Sequence, residues 1–185
     1  DPEFKARLLA DATAAVAELG YTLAEPTPRL VAVENTDKVH HLVVCTLCSC
    51  YPRALLGRPP DWYKSLAYRS RAVVDPRGVL REFGLEVGTG VMVRVLDSTA
   101  DLRYLVVPRR PAGTGHLREG ELSRLVTRDS MIGVGHAHSP EPAVAVNNPP
   151  AAPMHLTPDQ ADVSGVRLLD AADKARRARL DPDAS

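Results

Sequence analysis

Outside one six-residue stretch the chain has no cysteine. All three of its thiols fall in Cys45-Thr46-Leu47-Cys48-Ser49-Cys50. A disulfide framework stapling distant segments is therefore excluded, and a zinc site of two separated cysteine pairs lacks its second pair. Aromatic residues make up 4% of the 185 positions, too few for a base-stacking platform. No charge excess exists either: 23 Lys and Arg balance 23 Asp and Glu. A basic surface for nucleic acid and an acidic tail are both absent. No apolar run approaches the roughly 18–20 residues that cross a bilayer, so no membrane partner is expected. Asp1-Pro-Glu-Phe4 does not read as a signal peptide. The expected compartment is the reducing cytoplasm, where clustered cysteines serve as metal ligands or redox groups.

What is present is an ordinary globular composition, 44% hydrophobic and 25% charged, and enough chain for one domain with a real core. Glu3 to Leu19 reads as a helix stopped by Gly20. Leu30–Val33 and Val39–Val44 read as strands, the second running straight into Cys45. Asp61 is a candidate cap for a helix from Trp62 to about Arg71, and Asp75-Pro76 opens another that ends at Gly84. Val91–Leu96 and Leu102–Val107 read as strands able to pair across Asp97-Ser-Thr-Ala-Asp101. Glu119–Thr127 reads as a short helix and Met131–Val134 as a last strand. Ser139 to Pro153 is a Pro- and Ala-rich linker. Beyond it lies helical potential with Val163, Val166, Leu168 and Leu169 on one side, ending in the basic run Lys174–Arg179.

The spacing of the thiols leaves several chemistries open. Cys45-x-x-Cys48 after a strand suits a redox pair, but then Cys50 is superfluous. A structural zinc site needs a fourth ligand. His40 and His41 lie on the incoming strand and point to opposite faces, so at most one of them can turn to the loop. The Cys48-Ser49-Cys50 step offers a further possibility. Two thiolates one residue apart bring the amide nitrogens of Ser49 and Cys50 within reach of the same ion. If those amides lose their protons, the loop supplies three sulfurs and two nitrogens. That chemistry requires a strong Lewis acid such as trivalent cobalt or iron, and it leaves one octahedral position for catalysis.

The loop, with Tyr51-Pro52 after it, resembles the metal-binding loop of nitrile hydratase α subunits. Ordered blocks extend the resemblance across about residues 1–134. They are Gly57-Arg-Pro-Pro-Asp-Trp-Tyr-Lys64, Tyr68-Arg-Ser-Arg71, Asp75-Pro-Arg-Gly-Val-Leu-Arg-Glu-Phe-Gly84, Leu102-Arg-Tyr104, Arg110-Pro-Ala-Gly-Thr114 and Leu125-Val-Thr-Arg-Asp-Ser-Met-Ile-Gly133. The resemblance implies an α+β fold with a layered α/β/β/α core. It implies a short N-terminal helical arm (1–25), a metal-binding catalytic domain (26–135), and a linker with a helical tail (136–185). It implies a non-corrin Co3+ cofactor, with iron as the alternative, held by Cys45, Cys48 and Cys50 and by the amides of Ser49 and Cys50. Thr46 resembles the cobalt type. Cys48 is expected as sulfinate and Cys50 as sulfenate, the oxygen of Cys50 serving as nucleophile or base and Ser49 orienting it or a water. The implied reaction is hydration of a nitrile to an amide. The implied partners are a β-type subunit whose arginines hold the oxidised sulfurs, an activator chaperone for metal insertion, and a small-molecule nitrile.

Arg53 departs from the many members that carry Trp three residues past the last cysteine. An arginine there resembles thiocyanate hydrolases, which take an anion, and also suits a large polar nitrile such as a nucleoside. His40 and His41 resemble paired histidines that tie the loop to the rest of the structure. Trp62, Tyr63 and Tyr68 are candidates for pocket lining, with helix packing the favoured role. Many members have a Gln where Glu25-Pro-Thr27 stands. His136 and His138 have metal-binding spacing but read as solvated tail.

Overall fold

The computed structural model describes residues 1–21, 28–135, 163, 165–167 and 169–170. Two helices, α1 (Pro2–Ala10) and α2 (Ala12–Glu18), occupy the segment expected to be one. Asp11 divides them. It sits in extended conformation, its N–H closing α1 on Arg7 O at 2.8 Å and its carboxylate capping α2 through Ala14 N at 3.1 Å. A short acidic side chain that competes for backbone N–H favours such a break over a helix interior. Ala12, Ala15 and Val16 are buried, and Thr13 Oγ1 accepts from Leu30 N at 3.1 Å, so the helical pair is fastened to the first strand.

Four strands follow: β1 (Arg29–Glu34), β2 (Val39–Val44), β3 (Met92–Asp97) and β4 (Leu102–Val107). They form two parallel pairs. β1 lies beside β4 from Arg29 opposite Leu102 to Glu34 opposite Val107, and β2 beside β3 from Val39 opposite Met92 to Val44 opposite Asp97. The expected pairing of the third and fourth strands across 97–101 is therefore wrong. That link is a handover between sheets: Ser98 N donates to Val44 O at 2.7 Å, and three residues later Asp101 O accepts from Arg29 N at 2.8 Å. Leu42, Val43 and Val44 are all fully buried. A continuous apolar run marks a strand covered on both faces, the usual setting of parallel pairing.

Four helices lie between β2 and β3: α3 (Arg53–Leu56), α4 (Asp61–Lys64), α5 (Leu66–Val74) and α6 (Pro76–Glu82). The single helix expected from Trp62 to Arg71 is broken at Ser65. This residue is extended, caps α5 by accepting from Tyr68 N at 3.1 Å, and donates to Trp62 O at 2.8 Å. α6 begins as expected, with Asp75 accepting from Gly78 N at 2.9 Å ahead of Pro76. Trp62, Tyr63 and Tyr68 are buried; Trp62 meets Tyr63, Tyr68 and Phe83 edge-on, Phe83 at 4.6 Å and Tyr68 at 4.9 Å, and the Tyr63 and Tyr68 rings are tilted by 37°. Their apolar bodies belong to the core.

After α7 (Glu119–Ser123) the expected strand at 131–134 is instead a 3-10 turn, Ser130–Ile132. Thr127 and Ser130 bond each other's backbone N–H through their hydroxyls at 3.0 and 3.1 Å, which favours a turn over a ladder. Gly133 then takes φ +86° against β2, where an added Cβ would lie 1.8 Å from His41 O. Part of the C-terminal segment joins the core. Val163 is fully buried, and the Arg167 guanidinium lies 3.8 Å from the Phe83 ring centre. Burial lowers Arg167 to about 10 despite the nearby carboxylates of Glu82 and Asp129. Leu169 is exposed. Glu25-Pro-Thr27, His136, His138, Leu168 and the run Lys174–Arg179 lie outside the described residues. Among the described residues no helix is long and apolar enough to cross a membrane.

Candidate metal centre

Cys45 follows directly on β2 and shares its burial, with no exposed surface. The chain then turns outward, so that Thr46, Leu47 and Cys48 are exposed, and returns through half-buried Ser49 to buried Cys50. The three sulfurs converge. Cys45 Sγ is 3.5 Å from Cys48 Sγ, Cys48 Sγ is 3.2 Å from Cys50 Sγ, and all lie within 4.8 Å of one another. Thiolates about 2.3 Å from a metal lie about 3.3 Å apart at a right angle and about 3.8 Å apart at the tetrahedral angle. The 3.2 Å pair matches a right angle and the 3.5 Å pair lies between the two, so the sulfurs stand close enough to share one ion. A redox pair opening a helix does not fit, because no helix starts before Arg53.

The thiols are unequal. Hydrogen bonds from Cys50, then Cys45, lower the Cys48 thiol, whereas burial pushes Cys50 up to about 12, with the charge of Arg103 opposing. Of these two, Cys48 loses its proton first.

Three side chains from distant elements bond this loop, and a fourth bonds the strand that leads into it. Asp97, the last residue of β3, accepts from Thr46 N at 2.9 Å and from Thr46 Oγ1 at 2.5 Å. Arg69 of α5 donates from one terminal nitrogen to Thr46 O at 3.4 Å and Cys48 O at 3.3 Å, while its Nε is buried without a partner. Tyr63 donates to Cys50 O at 2.8 Å and Tyr68 to Val43 O at 2.7 Å. Burial raises both phenols well above the ordinary value, so they remain donors. Within the loop itself Cys48 N donates to Cys45 Sγ at 3.3 Å.

The histidines lie behind the loop. Asn35 Oδ1 accepts from His41 N at 2.7 Å and from His41 Nδ1 at 3.2 Å, while Asn35 Nδ2 donates to His40 Nδ1 at 3.2 Å. His40 Nε2 donates to Gly133 O at 2.7 Å. These bonds are mutually consistent only with a neutral His40 protonated on Nε2. Burial, then the charge of Arg94, lowers His41. The pair thus fastens β2 to the β1–β2 turn and to the 3-10 turn. Arg53 is exposed at the start of α3, and among the described residues its guanidinium has no partner.

Asp97, Arg69 and Asn35 were not legible as site residues. The signal for Asp97 is its place at the C-terminal end of a strand parallel to the one that ends at Cys45. That signal is readable only once the pairing is known.

Residues 1–135 match the family model described as nitrile hydratase, alpha chain. The chain is 55% identical over 145 residues to the high-molecular weight cobalt-containing nitrile hydratase subunit alpha of Rhodococcus rhodochrous, covering 78% of this chain and 71% of that one. It is 42% identical over 157 residues to the thiocyanate hydrolase subunit gamma of Thiobacillus thioparus, covering 80% and 63%. A solved histidine double mutant of the iron-type nitrile hydratase from Comamonas testosteroni superposes with TM-score 0.71 at 43% identity, covering 80% of this chain and 74% of that one. The match spans the helical pair, both parallel sheets and the cysteine loop, and on it the chain belongs to the nitrile hydratase alpha-chain family of enzymes.

Proposed function

We propose that this chain is the cobalt-binding α subunit of a hetero-oligomeric nitrile hydratase, adding water to a nitrile to give the amide. The observation that carries the reading is the convergence of Cys45, Cys48 and Cys50 with sulfur separations of 3.2 and 3.5 Å. Those sulfurs, with the amide nitrogens of Ser49 and Cys50, would hold the ion. When bound, trivalent cobalt supplies Lewis acidity at its one remaining position. Thr46 suits the cobalt form. Cys48 is read as sulfinate and Cys50 as sulfenate, the added oxygen of Cys50 taking a proton from water or attacking the nitrile carbon, with the Ser49 hydroxyl orienting it. A β-type subunit contributes arginines to the oxidised sulfurs, and an activator chaperone delivers the metal. His40 and His41 support the loop at one remove, through β2. We place the catalytic domain at 26–135 in a layered α/β/β/α core, between the arm at 1–25 and the tail at 136–185, and the enzyme in the cytoplasm.

Exposed Arg53, three residues past Cys50, supports a large polar nitrile such as a nucleoside as substrate. The same cation beside the 42% identical thiocyanate hydrolase subunit supports a second reading, hydrolysis of thiocyanate to carbonyl sulfide and ammonia. The test is made on the full chain expressed with its partner subunit. Elemental analysis is expected to give about one cobalt per chain, and intact mass two added oxygens on Cys48 and one on Cys50. Amide from nitriles supports the first reading and carbonyl sulfide from thiocyanate the second. Stoichiometric zinc in place of cobalt overturns both.

A further inference from the structure

We propose that Asp97 and Arg69 form a two-sided clamp that sets the cysteine loop in its metal-receiving shape before metal arrives. The inference rests on reading Cys45, Cys48 and Cys50 as metal ligands, and it names what fixes their geometry. Residues 45–50 have no helix or strand of their own, and they include neither proline nor glycine to stiffen the turn. Packing does not hold the tip, since Leu47 is 86% exposed. Something outside the loop must offset the entropy of ordering it.

Asp97 and Arg69 are placed to do so. Thr46 is gripped at its amide and hydroxyl by Asp97 and at its carbonyl by Arg69. The same Arg69 nitrogen also takes Cys48 O. A peptide unit is planar and trans, so holding Cys48 O also fixes the direction of Ser49 N. The two residues therefore orient the backbone on both sides of Cys48 without touching a sulfur. The Asp97 bonds, at 2.9 and 2.5 Å, are short and belong to the stronger class, while the Arg69 contacts, at 3.4 and 3.3 Å, are longer and span two carbonyls. Asp97 is anchored at the end of β3 and Arg69 in the middle of α5, so two separate rigid elements define the cradle. Both are positioning residues: neither is proposed to touch the metal or the substrate.

The experiment is an anaerobic titration of the reduced, metal-free full chain with Co2+, followed by the thiolate-to-cobalt charge-transfer absorption. Wild type is compared with Arg69→Gln, Arg69→Lys, Asp97→Asn and Asp97→Ala, and thermal melting is recorded for each. Arg69→Gln and Asp97→Ala are expected to weaken cobalt binding about 10–100-fold, as loss of supporting contacts to ligands typically does. Their charge-transfer bands shift while melting stays near wild type, and Arg69→Lys and Asp97→Asn recover part of the affinity. Folded variants with wild-type affinity and spectrum overturn the clamp. A wild-type chain that takes up no cobalt overturns the metal reading instead, so the two failures are distinguishable. Hydrogen exchange on the metal-free wild type does not depend on the variants folding. The Thr46 amide is expected to exchange slowly, like the strand amides. Exchange there at the rate of unprotected coil overturns the clamp.

Discussion

Gly133→Ala offers the sharpest test of how the cysteine strand is seated. Two costs add at this position. A side chain at φ +86° costs about 1–2 kcal/mol in backbone strain. The new Cβ would also lie 1.8 Å from His41 O and 3.2 Å from Leu42 Cα, and both obstacles are backbone of β2. No rotamer change relieves such an overlap, so the 3-10 turn must move off the strand. That movement breaks the His40–Gly133 bond of 2.7 Å, about 0.5–1.5 kcal/mol. It also loosens Ile132 and Val134, both fully buried. The strain and the lost bond account for about 1.5–3.5 kcal/mol, and the loosened core raises the total to about 4 kcal/mol, in the range reserved for specific structural lesions. For a chain of this size that lowers the melting temperature by roughly 8–16 °C. The control is Gly113→Ala. Its φ is +77°, but nothing lies within 4 Å of the added Cβ, so only the strain of about 1–2 kcal/mol remains. Thermal melts followed by circular dichroism compare the two directly. If both variants melt at the same temperature, the close approach of the turn to β2 is refuted, whatever the absolute values.

Tyr63→Phe removes the hydroxyl that donates to Cys50 O inside the core, leaving that carbonyl unpaired. The expected loss is about 1–2 kcal/mol, read from denaturant unfolding, with Tyr68→Phe a similar change at Val43 O. In the metal-free chain, iodoacetamide labelling followed by peptide mass mapping should modify exposed Cys48 ahead of buried Cys50. Between the ordinary thiol value and about 12, the unfolded chain has lost the Cys50 proton while the folded chain keeps it. Metal-free stability should accordingly fall as pH rises through that window; melts that stay flat across it contradict the burial of Cys50. Arg53→Trp should abolish any preference for thiocyanate over nitriles of similar size, and an unchanged ratio of kcat/KM values removes Arg53 from substrate choice.

Much of the chain was legible because its signals are local. Val39–Val44 announces a buried strand by composition, and Asp75-Pro76 announces a helix start by capping chemistry. The cysteine loop was legible because thiols two and three residues apart can serve few purposes. The misread elements share one cause: a short polar side chain settled the local structure against a longer periodic pattern. Asp11 and Ser65 each break a helix by capping the next one, and Thr127 with Ser130 folds a strand-like sequence into a turn. The histidine–asparagine relay was illegible because Asn35 gains its meaning only from where the β1–β2 turn places it.

Strand pairing is the error with the largest functional consequence. Had the third and fourth strands formed a hairpin, Asp97 would stand at its turn, beside its own neighbours in sequence. In parallel register Val44 lies opposite Asp97, so β2 and β3 end at the same edge of their sheet. The cysteine loop leaves from one strand end, and the carboxylate that catches Thr46 stands on the other. Parallel strands gather their C-terminal ends on one side, which is why sites form there in many sheets. Arg69 can reach the same loop only because the helices between β2 and β3 cover that edge on their way back. The parallel crossover therefore does more than bury two strands. It brings residues 46, 69 and 97, far apart in sequence, to one peptide segment, and the thiols converge on the segment those residues hold.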